Sequence, residues 1–278
     1  MGDKVGRAVL AVLNDGALME IFREDIIVLI PKVKVSVRVR KFKTISLCNI
    51  TYKLIAKMLA NRLRGFLENI ISPNQSAFVL GRLITDNMVV GFECLHSLRG
   101  RRQGKMGHIV LKLDMNKAYN RVEWGFISGV MKSLGFNSGW IDSIMKCVSL
   151  ASYFFLLNDE IRGKVIPNRG LRHGYPLSLY LLLLCVEELS TLIYQAKSRG
   201  VLHSIKVAWS APVISHLLFV DDSLVFAKTE VEEYKTMLDI LKIYNVASGQ
   251  SVNFDKSVLS LVLTLLKILG RPLECCLI

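Results

Sequence analysis

The apolar residues of this chain follow two different periods, and these periods alternate along its 278 residues. From Lys53 to Ile71 they recur at helical spacing with polar residues opposite, which predicts an amphipathic helix. The stretches Ile109–Asp114 and Ser215–Ala227 instead have strand patterns, and the second reads as two short strands joined at Asp221-Asp222. Helices and strands interleave without the regular alternation of a parallel sheet, so we expect an α+β fold.

Further elements are predicted from the same two periods and from turn residues. In chain order they are a strand at Asp25–Ile30, helices at Asp86–Leu98 and Lys117–Leu134, strands at Tyr153–Leu157 and Lys164–Ile166, an apolar helix at Pro176–Gly200, a helix at Thr229–Ala247 and a strand at Ser251–Phe254. We expect Thr229 and Glu232 to form a capping box at the start of the last helix, and Gly249 to end it.

Positive charge is concentrated in one segment of the chain. There are 36 Lys and Arg residues against 23 Asp and Glu, and the stretch Pro31–Arg64 holds ten cations and no acid. Clustered cations bind nucleic-acid phosphates through counterion release, or anionic lipid surfaces, and composition alone does not separate the two. Because no amphipathic membrane anchor stands out, nucleic acid is the favoured partner.

The composition excludes several classes of protein. With 51% apolar and 21% charged residues, the chain is neither disordered, collagen-like nor a disulfide-stapled miniprotein. The six cysteines include no CxxC pair and no histidine at ligand spacing, so we expect no zinc site and an intracellular, reducing context. The longest apolar run, Leu179–Val186, is far shorter than the roughly 20 residues of a membrane-spanning helix, so we expect no membrane partner.

Three carboxylates are candidates for chemistry. Asp114 ends a predicted strand, and Asp221 and Asp222 lie at the tip of a predicted hairpin, so all three meet at one sheet edge if the segments are neighbours. Clustered carboxylates stay ionised together when divalent cations neutralise them, and Mg²⁺ prefers oxygen ligands. The alternative is structural, because Asp-Asp is also common in solvated turns and a strand-ending Asp is a common helix N-cap.

The residues around these carboxylates resemble, in order, the motifs of the reverse transcriptases of non-LTR (LINE-type) retrotransposons, especially those abundant in plant genomes. Lys112–Trp124 resembles motif A, Arg169–Ser178 motif B and Phe219–Asp222 motif C. The fingers blocks are matched by Leu29–Lys32, Ile45–Asn49 and Asn74–Asn87, and motif D by Ala247–Ser257. The resemblance covers about residues 1–258 and implies a partial, degenerate copy of such an element.

The resemblance implies a right-handed polymerase with fingers and a ferredoxin-like palm. The remnant after Val258 is too short for a thumb, so we expect none. Residues 1–108 would form an N-terminal segment and the fingers, and residues 109–258 the palm, with part of the fingers free to interleave. Residues 259–278 would be a truncated apolar tail.

The implied activity is RNA-directed DNA polymerisation. The 3′-hydroxyl of a DNA primer on an RNA template would attack the α-phosphate of a dNTP, with two Mg²⁺ ions held by Asp114, Asp221 and Asp222. Lys256 matches the motif D lysine that protonates pyrophosphate, although an exposed surface lysine is the alternative.

The resemblance also implies residues that bind the nucleotide. Tyr119 has the position of an aromatic ring that excludes the ribose 2′-hydroxyl, and His173 and Gly174 lie in the block that meets the nucleotide. Lys43 and Arg82 match fingers cations that meet the triphosphate. For Tyr119 the alternative is a core tyrosine.

The basic face of the first long helix, with Lys53, Lys57 and Arg64, would carry the template backbone, unless it is only a solvated face. A nuclear location is also implied by the family, whereas the oligomeric state is not set by the sequence.

Several positions depart from the family pattern. In motif B the usual Gln-Gly-Asp-Pro is His173-Gly174-Tyr175-Pro176. Elsewhere, the family's usual residues are replaced at Leu179, Asn120, Thr44 and Val220. These changes leave open a rival function, a catalytically silent relic that binds nucleic acid nonspecifically. A two-metal nuclease or an RNA-templated repair enzyme would explain the carboxylates, but not the motif B and fingers blocks.

Overall fold

The computed structural model describes residues 24–34, 41–100, 107–220 and 222–262, together with Arg7, Ala11 and Arg38. These residues form ten strands and seven helices. In chain order they are β1 (Glu24–Pro31), β2 (Phe42–Leu47), α1 (Ile50–Ile70), α2 (Ile84–Gly100), β3 (His108–Asp114), α3 (Ala118–Arg121), α4 (Trp124–Ser133), α5 (Ser138–Ser149), β4 (Ser152–Leu157), β5 (Glu160–Val165), α6 (Pro176–Ser198), β6 (Ile205–Lys206), β7 (Val213–Ile214), β8 (His216–Phe219), β9 (Asp222–Lys228), α7 (Val231–Ser248) and β10 (Val258–Val262).

The chain folds into two compact units, and each unit is built from two stretches of sequence. The first unit comprises residues 1–66 and 119–184. Its sheet has the order β2-β1-β4-β5, in which β1 pairs in parallel with β4 and the other pairs are antiparallel. Helices α4 and α5 pack against each other in this unit.

The second unit comprises residues 67–118 and 185–278. Its sheet has the order β10-β3-β9-β8 and is antiparallel throughout. Helix α2 contacts β8, and a core cluster of buried residues joins this helix to the sheet. The cluster consists of Cys94, Leu98, Val110, Ile205, Leu217 and Phe226.

The amphipathic pattern of Lys53–Ile71 correctly predicts a long helix, which is α1. Its positions Ile55, Leu59, Leu63 and Leu67 are all fully buried, as their helical spacing requires. The strands predicted at Asp25–Ile30 and Ile109–Asp114 and the hairpin of β8 and β9 are likewise confirmed.

The single helix predicted for Lys117–Leu134 is wrong, because the chain forms two helices that break at Val122 and Glu123. The carbonyl of Val122 accepts the N–H of Gly170 at 2.7 Å, and Glu123 is extended. A tertiary hydrogen bond therefore takes the acceptor that a continuous helix would use.

Gly170 is required at this junction. Its φ is +90°, and an added Cβ would lie 2.7 Å from the carbonyl oxygen of Asn120. Gly170→Ala is therefore expected to lower the free energy of unfolding by roughly 2–4 kcal/mol in a denaturant titration. The matched control is Gly129→Ala, because a Cβ on that helical glycine meets nothing within 4 Å. Equal stability of the two variants would contradict the prediction.

The capping box predicted for Thr229 and Glu232 is also wrong. Helix α7 has Glu230 at its N-cap without a side-chain hydrogen bond. Instead, the buried carboxylate of Glu233 accepts the N–H groups of Lys228 at 2.9 Å and His203 at 3.1 Å. The predicted end of the helix is confirmed, since Gly249 adopts φ +74°.

The C-terminal part of the sequence contains one further correction. The strand expected at Ser251–Phe254 is only an isolated bridge between Val252 and Met115. The first residues of the expected tail, in contrast, form β10, which pairs antiparallel with β3. Residues 263–278 lie outside the described residues.

Within the part of the chain that the structure describes, α6 alone is long and apolar enough to cross a membrane, with a mean hydropathy of 1.6 over its most apolar window. Of that window, 67% is buried inside the protein. The core helix of a soluble protein shows the same burial, so α6 is weak evidence for a membrane span.

Candidate active site

Two of the predicted catalytic carboxylates meet in the second unit. Asp114 is the last residue of β3, Asp222 is the first residue of β9, and the two are register partners in the antiparallel pair of strands. Directly opposed Cα atoms in such a pair lie about 4.5–5.5 Å apart. Asp221, the third predicted carboxylate, lies outside the described residues.

The hairpin that carries Asp222 has a tight tip. Phe219 pairs with Asp222, which leaves two residues in the loop. Val220, one of these two, has φ +69°, a conformation that a β-branched side chain rarely adopts. The strands on either side must therefore hold this turn in place.

A loop after α7 surrounds the end of β3. The side-chain amide of Asn253 donates to Oδ1 of Asp114 at 3.2 Å, and its backbone N–H donates to the Asp114 carbonyl at 2.8 Å. Ser257 Oγ accepts the Asp114 N–H at 3.1 Å. Lys256 Nζ lies 3.9 Å from Oδ2 of Asp114, and the lysine side chain is 69% exposed. The structure thus brings three of the four predicted catalytic residues together: Asp114, Asp222 and Lys256.

The donor set at this edge suits a hard divalent cation. Asp114 and Asp222 supply carboxylate oxygens, which Mg²⁺ prefers, and both side chains are only partly buried. The described residues contain no group of three or more His, Cys, Asp or Glu that could hold a metal, but Asp221 is not among them.

Two of the residues predicted to bind the nucleotide contact each other in the first unit. The ring centroids of Tyr119 and His173 lie 4.6 Å apart, and their planes are tilted by 41°. The N–H of Leu171 donates to the Tyr119 carbonyl at 2.7 Å, which ties this loop to α3. Gly174, the residue after His173, adopts φ +81°.

An open cavity of about 260 Å³ lies beside this pair in the first unit. Its walls include Thr44, Ser46, Asn120, Arg169, Arg172 and His173. Apolar residues, among them Ile27, Phe155 and Val165, complete the lining, so the cavity combines polar and apolar walls.

A buried charged cluster supports one wall of this cavity. Arg172 and Asp25 form an ion pair of 3.3 Å, with side chains only 3% and 0% exposed. The Ser46 hydroxyl donates to Asp25 at 2.9 Å. The guanidinium lies 4.6 Å from the ring of Tyr52 and 5.0 Å from that of Tyr175. Burial raises the pKa of Asp25, although Arg172 and Ser46 oppose this effect.

Tyr175 therefore belongs to the core. Its ring is only 5% exposed, and its hydroxyl accepts a hydrogen bond from Arg172 at 3.1 Å. The ring that replaces the motif B carboxylate thus packs against a cation within the first unit.

The predicted cations differ in what they contact. The guanidinium of Arg82 donates to the backbone carbonyls of Ile71, Ser72 and Gln75, which fixes the loop after α1. Its contact with a triphosphate stays a prediction. Lys43 is exposed on β2.

The three predicted template-binding cations, Lys53, Lys57 and Arg64, are exposed along α1. Exposure of these side chains fits both interpretations, that this face binds the template and that it is only solvated.

The sequence interpretation missed Asp25, Arg172 and the contact of Asn253 with Asp114. A signal existed for Asp25, because a carboxylate inside the apolar strand Glu24–Pro31 requires a buried partner. That partner, 147 residues away along the chain, could not be identified from a pattern.

Comparisons with known proteins agree with this geometry. The family model described as "Reverse transcriptase (RNA-dependent DNA polymerase)" matches residues 30–273. The "Transposon TX1 uncharacterized 149 kDa protein" of Xenopus laevis is 27% identical over 259 residues, which cover 92% of this chain and 19% of that protein. A Pol polyprotein from the type-1 retrotransposable element R2 of Popillia japonica is 24% identical over 221 residues, covering 78% of this chain and 29% of that protein.

An uncharacterised mitochondrial protein of Arabidopsis thaliana is 49% identical over 69 residues, or 25% of this chain and 57% of that protein. The chain thus spans less than two thirds of the length of each of these three relatives.

The fold is similar to that of solved telomerase structures. A telomerase from Candida tropicalis, in complex with a fragment of telomeric RNA, matches with a TM-score of 0.57 and 13% identity, over 86% of this chain and 41% of that chain. The corresponding structure from Candida albicans matches with a TM-score of 0.57, 12% identity, and coverage of 86% and 43%. At this identity the likeness concerns the fold alone.

Proposed function

Since the chain belongs to the reverse transcriptase family and is a reverse transcriptase domain of the non-LTR retroelement type, we propose that it extends a DNA primer on an RNA template with dNTPs. The observation that carries this proposal is the pairing of Asp114 with Asp222 at one end of neighbouring strands, with Lys256 beside them. The resemblance to non-LTR reverse transcriptases and the expected α+β fold of the fingers-and-palm type are confirmed.

Reverse transcriptases generally use divalent metal. For this chain we propose two Mg²⁺ ions, held by Asp114, Asp222 and Asp221. Such ions stabilise the attacking and leaving oxygens of a phosphoryl transfer. In that transfer the primer O3′ forms a bond to the α-phosphorus, and the bond from that phosphorus to the pyrophosphate oxygen breaks.

In the proposed reaction, side chains of this protein orient the catalytic carboxylates and protonate the leaving pyrophosphate. Asn253 orients Asp114 by donating its side-chain amide to Oδ1, while Oδ2 lies 3.9 Å from the ammonium of Lys256. Lys256 carries an exposed ammonium at this edge, so it is placed to give a proton to the departing pyrophosphate.

In the first unit, the proposed nucleotide contacts are Tyr119, His173 and Gly174. The ring of Tyr119 would exclude a ribose 2′-hydroxyl by size, and its contact with His173 restrains it. The positive φ of Gly174 turns the chain directly after His173, so the backbone can approach a ligand closely.

The basic face of α1 is proposed to bind template phosphates. Changing Lys53, Lys57 and Arg64 together to Gln should reduce the slope of log affinity against log salt by about 2–3, because each lost phosphate contact removes about 1. The measurement is RNA binding by fluorescence anisotropy at several salt concentrations. A matched triple change to Gln at the exposed helix lysines Lys132, Lys235 and Lys242 should leave the slope unaltered. Equal slopes for the two triple variants would contradict the role of this face.

Primer extension tests the proposed function. The chain is mixed with an RNA template annealed to a DNA primer, with Mg²⁺ and with a single dNTP. The primer should be extended only when that dNTP is complementary to the template, and the Asp222→Ala variant should not extend it. Extension no greater than that of Asp222→Ala would refute polymerase activity.

Primer extension also distinguishes the proposed polymerase from the rival function, a catalytically silent relic. A silent relic is motivated by the substitutions at His173 and Tyr175, and it would bind RNA in a salt-sensitive manner without incorporation. Of the two substitutions, the one at Tyr175 is the weaker argument for inactivity, because its buried ring packs against Arg172 and Tyr52.

A further inference from the structure

Strand β8, which leads into the catalytic hairpin, has a second neighbour outside the named strands. Gln75 and Leu218 form a parallel bridge, and the N–H of Leu218 donates to the carbonyl of Asn74 at 2.8 Å. The side-chain amide of Asn87 donates to the carbonyls of Asn74 at 2.7 Å and Leu218 at 3.1 Å. The loop after α1 thus occupies an edge that would otherwise hold unpaired backbone groups.

His216 lies at the start of β8 and is completely buried. Its Nε2 is 2.8 Å from Ser190 Oγ on α6 and 3.1 Å from Nδ2 of Asn74, while its Nδ1 is 2.9 Å from Ser215 Oγ. Both ring nitrogens therefore have partners, and two of the three partners lie on other segments, α6 and the loop after α1. Burial, and to a smaller extent the charge of Lys197, lowers the pKa of His216 to about 4, so the ring is neutral at neutral pH.

The hydrogen bonds continue away from His216. Ser190 Oγ lies 3.0 Å from Ser72 Oγ, and Ser72 donates to Oε2 of Glu187 at 3.2 Å. Helix α6 and the loop after α1 are thereby joined to each other as well as to β8. A buried polar network that satisfies its members fixes one arrangement of the elements it joins.

The catalytic hairpin needs such a support. Three residues after His216 the strand ends at Phe219, and the tip then adopts the left-handed φ of Val220 before Asp222. A slip of β8 by one residue would turn its side chains to the opposite face of the sheet. Pairing with β9 restrains one edge of β8, and the contacts of Asn74 and Asn87 with Leu218 restrain the other. The side chain of His216 adds a third restraint, because it ties the strand to Ser190 on α6.

We propose that His216 is a positioning residue for the catalytic carboxylates, which acts by locking β8 to α6 and to the Asn74 loop, so that the strained hairpin tip presents Asp222 opposite Asp114. This inference deepens the proposed function and rests on it. The hydrogen bonds of His216 reach neither carboxylate of the pair, and its proposed role requires no contact with the substrate.

Hydrogen exchange followed by mass spectrometry tests the inference without catalysis. In the full chain, His216→Ala should accelerate exchange of peptides covering residues 216–226 by about tenfold, while His216→Gln, which keeps a hydrogen-bonding side chain, should recover part of the protection. His96→Ala is the matched control, because His96 is an exposed histidine whose ring stacks on Phe92. Unchanged exchange in a folded His216→Ala chain would overturn the inference.

A second readout distinguishes positioning from loss of folded protein. The Mg²⁺ concentration for half-maximal incorporation should rise roughly tenfold in His216→Ala, as for other residues that orient metal ligands, with an unchanged KM for dNTP. A merely structural role would lower only the yield of active chain, and that result would count against the inference.

If His216→Ala fails to fold, Ser190→Ala is a less disruptive variant that removes one hydrogen bond of His216. Its control is Ser198→Ala on the same helix. Ser190→Ala should accelerate exchange of the same peptides, and equal exchange in the two serine variants would overturn the inference. If the unaltered chain gives no incorporation, the proposed function fails, and the exchange result still decides whether His216 locks the hairpin.

Discussion

Asp114→Asn is expected to lower the rate of templated nucleotide incorporation by roughly a thousandfold or more, as for the loss of a group that stabilises transition-state charge. Asp114 is the register partner of Asp222, and its Oδ2 lies 3.9 Å from the ammonium of Lys256. An amide at this position keeps the size of the side chain but loses the negative charge that a cation requires. The measurement is the single-turnover rate of addition of one dNTP.

The matched control is Asp239→Asn, which makes the same change at an exposed position of α7. It should retain the full rate. Both variants should keep the stability of the unaltered chain to within about 1 kcal/mol, because Asp114 is partly exposed and Asn is isosteric. A rate for Asp114→Asn within tenfold of the control would contradict a catalytic role for this carboxylate.

Asp25→Asn is expected to lower the free energy of unfolding by about 3–5 kcal/mol, because it leaves the guanidinium of Arg172 buried without its counter-charge. Both partners are almost completely shielded from water, and the guanidinium packs against the rings of Tyr52 and Tyr175, which also contact each other. Denaturant titration measures the change.

Two further variants sharpen this result. Glu160→Gln removes the partner of Arg162 in an exposed ion pair of the same unit and should cost less than about 1 kcal/mol. Replacing both Asp25 with Leu and Arg172 with Met should recover much of the lost stability, since a packed apolar pair can replace a buried ion pair. An Asp25→Asn chain as stable as Glu160→Gln would show that the buried pair contributes nothing.

The sequence predicts those parts of the fold that depend on local periodicity. Helix α1 has an uninterrupted apolar stripe, and β3 and the β8–β9 hairpin have short apolar runs that end at carboxylates. Once β3 and β9 pair antiparallel, their ends bring Asp114 and Asp222 to one edge, as expected from the sequence. The resemblance identifies Lys256 as the motif D lysine, but its position 3.9 Å from Asp114 is known only from the structure.

The remaining features depend on partners that are distant along the chain. The break between α3 and α4 follows from a hydrogen bond of Val122 to Gly170, and strand β10 exists because β3 offers it an edge. At the start of α7 no side chain caps the helix at Glu230, and the carboxylate of Glu233 instead accepts the backbone N–H of His203. No local pattern encodes these contacts, since each needs the tertiary structure to form first.

Binding of Mn²⁺, followed by the electron paramagnetic resonance of the free ion, tests whether Asp114 and the hairpin carboxylates hold a cation together. The unaltered chain should bind Mn²⁺, and Asp114→Asn and Asp222→Asn should each weaken that binding by more than the roughly tenfold typical of losing an outer partner of a metal ligand. Binding by Asp114→Asn equal to that of the unaltered chain would show that Asp114 does not hold the cation.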